Sequence, residues 1–186
     1  MNAALLSHQR VVDETRAWLE KAVIGLNLCP FAKAVYVKNQ IHYVVSTAGT
    51  RDDLLSELRF EIDALLTHDP ADRETTLLMT PLWLHDFLDF SGFLRFAERL
   101  LVSGGFSGTI QLASFHPDYQ FADAPADDIT NFSNRAPFPT LHLLREASVE
   151  RAVAAFPQPE AIYETNKTTL RRLGHAGWER LGVGRS

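Results

Sequence analysis

An α/β fold is predicted by three observations. Strand-like runs begin near residues 41, 75 and 109, and a helix-periodic segment fills each gap between them. The second run is apolar on both faces, as in a strand buried within a parallel sheet. The order β-α-β-α-β, with flanking N- and C-terminal helices, predicts a mostly parallel sheet or a mixed sheet of ferredoxin-like order. At 186 residues, one domain is expected over residues 1–178. Residues 179–186 are then a loose C-terminal tail, docked in part through Trp178.

The elements follow in order. Val11, Val12, Thr15, Trp18, Leu19, Ala22, Val23 and Leu26 recur at three- and four-residue steps, so residues 11–26 form a helix with one apolar face. Pro30 ends it, because proline turns its predecessor away from the helical region. Residues 30–35 open a short helix with Cys29 at its N-cap, and residues 41–46 form the first strand. Thr50, with Asp53 three residues on, caps the next helix, whose buried stripe is Leu54, Leu55, Leu58, Ile62, Leu65 and Leu66. Asp69-Pro70 marks a turn, and residues 75–80 form the second strand. Asp86 or Asp89 caps a helix whose stripe is Phe90, Phe93, Leu94, Ala97, Leu100 and Leu101, and Gly104-Gly105 stops it. Residues 109–115 are the third strand. Residues 140–145 read as a fourth strand, or as the first turns of a helix running on to Phe156. The last helix starts at Pro159, carries Ile162, Asn166, Thr169, Leu170 and Leu173, and is capped by Gly174.

Composition narrows the function. The formal net charge is −5, with 46% hydrophobic and 22% charged residues. The acidic balance excludes a general nucleic-acid binder, which needs a basic footprint. No apolar stretch reaches the roughly 20 residues that span a bilayer, so no membrane partner is expected. The N-terminus turns acidic too early for a signal peptide. A single cysteine, Cys29, excludes an intrachain disulfide and fits a cytoplasmic protein. Nucleotide loops, nucleophile elbows and zinc-site spacings are all missing.

The chemistry concentrates in one connection. Residues 116–139 link the third and fourth strands, where ordinary connections take about 4–6 residues. In open α/β sheets, ligands sit beyond the carboxyl ends of the strands, and His116 and Asp118 follow that end of the third strand. If the fourth strand is antiparallel to the third, Asn131, Ser133, Asn134 and Arg135 fold back over His116. His116 is a candidate general acid or base; alternatively, its ring caps the strand by bonding backbone. Asp118 would orient the ring, or form an Asx turn with Tyr119. The fork of Arg135 suits a carboxylate or phosphate, or an ion pair with Asp123, Asp127 or Asp128. Asp127-Asp128 would hold a divalent metal or simply be solvated. His142 and Arg145 point to opposite faces of a strand; His142 either reaches the His116 pocket or is a satisfied core group. Asn166 is a polar intrusion that anchors a loop. Cys29, before a proline at a helix start, is either an acidified thiol or a buried, inert one.

The phrases GLNLCPFAKAV (residues 25–35), SFHPDYQFAD (114–123) and DDITNFSNRAPFPTLHLLRE (127–146) resemble a family catalogued as domain of unknown function 1415, found in bacteria and plant plastids. The resemblance covers nearly the whole chain, to about Gly177-Trp178, and implies no activity, substrate or cofactor. It marks Cys29, Pro30, Phe31, His116, Asp118, Tyr119, Asn131, Asn134, Arg135, His142 and Arg145 as signature positions without roles.

Three functions are therefore expected. The first is a small-molecule enzyme acting on an anionic substrate. His116 is its general acid or base, Asp118 orients it, and Cys29 is a second catalytic group. Tyr119, Asn131, Asn134, Arg135, His142 and Arg145 form its substrate-binding set. The second is a metal- or haem-binding protein using His116, His142 and Cys29 or Asp118. The third is a non-catalytic protein whose 116–146 segment is a structural clasp or a partner surface. The oligomeric state stays open.

Overall fold

The computed structural model describes residues 7–155 and 161–184. Helix α1 (His8–Trp18) is capped by Ser7 and continues as a π-helical turn, Leu19–Ile24. Short helix α2 (Ala32–Val37) follows. Its N-cap is Phe31, two residues later than expected, because the chain first turns through Pro30. Strand β1 (Ile41–Val45) leads into α3 (Arg51–Thr67). There the Thr50 hydroxyl bonds the Asp53 carboxylate at 2.6 Å and accepts the Asp53 N–H at 3.3 Å. Leu54, Leu58, Ile62 and Leu65 of α3 are fully buried, whereas Leu66 falls off the stripe.

All five residues of β2 (Thr75–Met79) are buried. Helix α4 (Phe87–Ser103) is capped by Asp86, whose carboxylate accepts from the Leu88 and Asp89 amides at 2.8 and 3.0 Å. It ends at Gly104, and Gly105 turns the chain at φ +75°. Strand β3 (Ile110–Phe115) follows, and residues 140–145 are indeed a strand, β4 (Thr140–Arg145). Helix α5 (Glu146–Ala154) comes next. The expected helix start at Pro159 lies outside the described residues.

The span α6 (Ala161–Leu181) is two helical stretches joined across a kink at Gly174, where φ is +66° and ψ is 172°. Glycine alone adopts such a φ without strain, so Gly174 ends the first helical stretch as expected, and a second stretch follows the kink. Trp178 and Val183 are both buried, so the C-terminal segment is docked rather than loose up to that point.

The sheet is mixed, in the order β1-β2-β4-β3. Strands β1 and β2 are parallel, with Ile41 opposite Thr75. Strand β4 is antiparallel to both neighbours, pairing Thr140 with Met79 on one side and with Phe115 on the other. Thus β1, β2 and β3 point the same way, with β4 inserted between the last two. Its Leu141 and Leu143 are completely buried, which suits a central strand. They pack with Leu78 and Ile110 beneath α3 and α4. On the other face, Leu77 and Met79 meet Val11 and Val12 of α1. No described helix is long and apolar enough to cross a membrane.

Two polar devices fasten α3 to the sheet. Arg73 and Glu61 form a buried ion pair at 2.5 Å, and Thr76 accepts from the same guanidinium. Arg145 directs one Nη at the carbonyls of Leu65, His68 and Arg73, at 2.5, 2.9 and 3.1 Å. It therefore serves the carboxyl end of α3, where orphan carbonyls need donors.

Candidate functional site

The long connection does fold back over His116. The His116 amide donates to the Asn134 carbonyl at 3.2 Å. The imidazole, however, is completely buried. Its Nδ1 accepts the Asp118 backbone N–H at 3.0 Å, and its Nε2 lies 3.1 Å from the Leu84 carbonyl. An amide can only donate and a carbonyl only accept, so the hydrogen sits on Nε2 and the ring is neutral. The rings of Phe87 and Phe90 lie 5.4 and 5.1 Å away. Asp118 thus orients His116 through its amide, while its side chain is exposed.

The other loop residues also bind backbone. Asn131 is fully buried, accepts from the Phe121 amide at 3.0 Å and donates to the Pro125 carbonyl at 2.7 Å. Arg135 donates from Nε to the Tyr119 carbonyl at 3.2 Å and from Nη2 to the Ala126 carbonyl at 2.7 Å. Its guanidinium lies 4.2 Å from the Phe132 ring centroid. Burial lowers its pKa, partly offset by Asp118. No described ion pair joins it to Asp123, Asp127 or Asp128. Asn134 donates to the Ser114 carbonyl at 3.5 Å. Asp128 caps the short 3-10 helix Ile129–Asn134, and the Thr130 amide and hydroxyl hold its carboxyl below the usual range. Tyr119 packs between Phe87 and Phe121, and burial raises its hydroxyl pKa.

His142 and Cys29 lie elsewhere. His142 faces the α1 side, 6.0 Å from Phe115, whereas His116 faces α4. The Thr75 hydroxyl donates to the Leu143 carbonyl at 2.6 Å, so it accepts from His142 Nε2 at 2.7 Å. Burial pushes the His142 pKa down to about 4. The two histidines therefore do not share a pocket. Among the described residues no group of three or more His, Cys, Asp or Glu side chains could hold a metal ion. Burial raises the Cys29 thiol pKa, and the amides of Phe31 and Ala32 only partly oppose this. Burial thus works against the acidified thiol. Asn166 anchors a loop as expected, donating to the Leu28 carbonyl at 2.8 Å.

The cavity lies next door. A groove of about 570 Å³ opens at the carboxyl ends of β1 and β2, between the start of α3 and the outer face of α4. Arg51, Trp83 and Leu84 line one side. Leu88, Asp89, Gly92, Arg95, Phe96 and Arg99 of α4 line the other. These six positions share a single helical face. The guanidinium carbons of Arg51 and Arg99 lie 4.8 and 5.6 Å from the Phe96 ring centroid. Arg51 pairs with Asp52 at 3.0 Å; Arg95 and Arg99 have no carboxylate partner among the described residues. Leu84 is the residue that His116 holds, and its φ is +60°. For a bulky residue that conformation is a real outlier.

The rule about carboxyl ends points to the edge of the sheet at which this groove opens, but not to the residues that line it. Their signal is present as a second periodicity in α4. Residues 88, 92, 95, 96 and 99 repeat at helical spacing opposite the buried stripe, and Gly92 sits inside the helix.

Residues 10–180 match the family described as a protein of unknown function, DUF1415. The chain belongs to this family. Its description assigns no chemistry. No curated protein and no solved structure matches the chain significantly.

Proposed function

We propose that the protein binds a small anionic molecule in the groove between α3 and α4. One observation carries the reading: three arginines and one aspartate, Asp89, line the cavity of a chain whose net charge is −5. The volume falls in the range of small-molecule sites, about 300–1,000 Å³. Guanidinium forks suit carboxylates and phosphates. In this reading His116 is a positioning residue, holding the Leu84 wall rather than moving protons. The 116–139 loop is the clasp that keeps His116 in place. Asn131 and Arg135 support that role, because their hydrogen bonds go to the loop's own backbone. A free thiol at Cys29 is in keeping with a cytoplasmic setting.

Isothermal titration with phosphate, succinate and phenyl phosphate tests the reading. At least one of them should bind saturably and more weakly as salt is added. Arg51→Ala, Arg95→Ala and Arg99→Ala should each weaken it about tenfold, the worth of one charge-assisted contact. No saturable binding of any of the three, or unchanged affinity in all three variants, would overturn the proposal.

A further inference from the structure

Gly92 is the least explained residue of α4. A glycine inside a helix forfeits stability relative to alanine, because its backbone loses more freedom on folding. Packing does not require it, since an added Cβ at 92 meets nothing within 4 Å. It sits at the centre of the groove face, with Leu88 and Asp89 one turn before it and Arg95 and Phe96 one turn after. Two other residues that break a local rule line the same cavity. Arg51 occupies the first position of α3, where the positive end of the helix dipole disfavours a cation. Leu84 adopts a left-handed φ. Such departures are expected where function overrides folding preference.

Resting on the reading of the groove as an anion site, we infer that its ligand is an aromatic anion: a flat ring carrying a phosphate or carboxylate. The ring lies on the bare helix backbone at Gly92, and its charge meets the arginines. Three features argue for a ring. The space above Gly92 is open, with no atom within 4 Å of an added Cβ. Trp83, set edge-on to Phe93 at 6.0 Å, and the half-exposed Phe96 supply aromatic walls. Arg51 and Arg99 already lie near one ring, Phe96, at 4.8 and 5.6 Å, so the groove's cations sit beside aromatic surface. The anionic end supplies the charge complementarity that an uncharged ring would lack.

The test compares phenyl phosphate with inorganic phosphate by calorimetry on the full chain, beside Gly92→Leu. The parent should bind phenyl phosphate about tenfold tighter or more, the usual gain from one stacked ring. Gly92→Leu should erase that preference while raising Tm by about 2–4 °C, since the helix gains a better former. The rise in Tm separates a filled groove from a misfolded variant. Equal affinities in the parent would overturn the aromatic ligand and leave the anion site standing. Binding of neither would overturn the aromatic phosphate, and, with no binding of succinate either, the anion site itself. Sedimentation as a dimer that Gly92→Leu converts to a monomer would make a second copy the occupant and refute the inference.

Discussion

His116 Nδ1 and Nε2 are both engaged by main-chain groups, and the ring is sealed between α4 and the 116–139 loop. Alanine at this position leaves the Asp118 amide and the Leu84 carbonyl without their partner. Each such loss costs about 1–3 kcal/mol. His116→Ala should therefore lose about 3–5 kcal/mol of stability in urea denaturation, once the vacated ring volume is included. An unchanged urea midpoint would show that the ring is no strut and restore it as an acid–base candidate. His142 carries a different prediction. Burial lowers its folded pKa from 6.5 to about 4, so above the unfolded value it adds no penalty. As pH falls from 6.5 towards 4, the unfolded chain takes up the proton first and stability is lost, by about 3 kcal/mol in all. The parent should thus lose about that much more than His142→Gln between about pH 7 and about pH 4. Parallel pH profiles would contradict this.

At the scale of elements, the signals that depend on local chemistry were readable. Thr50 and Asp53, Asp86, Pro30 and the Gly104-Gly105 pair act where their types predict. The position of β4 was not readable, because strand order depends on which edges meet, and TLHLLR carries no register of its own. Its two fully buried leucines explain its central place only in hindsight. The buried pair of Glu61 and Arg73 was missed for a related reason: the partners are an isolated glutamate on a helix face and an arginine in a turn. Periodicity assigns such charges to solvent until a third element covers them. In the 116–139 connection the sequence identified the right residues but not their use. Asn, Asp, Arg and His serve equally to bind a ligand or to satisfy a long loop's own amides and carbonyls. Asn131 and Arg135 do the second.

The whole molecule divides these tasks between neighbours. The carboxyl ends of β1 and β2 open onto the groove, while the end of β3 enters the 116–139 loop, and Leu84 touches both the groove and His116. The groove gathers three arginines against one aspartate in a chain whose net charge is −5. Amide chemical-shift mapping with phenyl phosphate on isotopically labelled protein tests the central claim most directly. The account predicts that the shifted amides cluster at residues 51–53, 83–85 and 88–99. Shifts centred instead on residues 118–135, around Asp118, Tyr119 and Arg135, would contradict it and return the site to the loop.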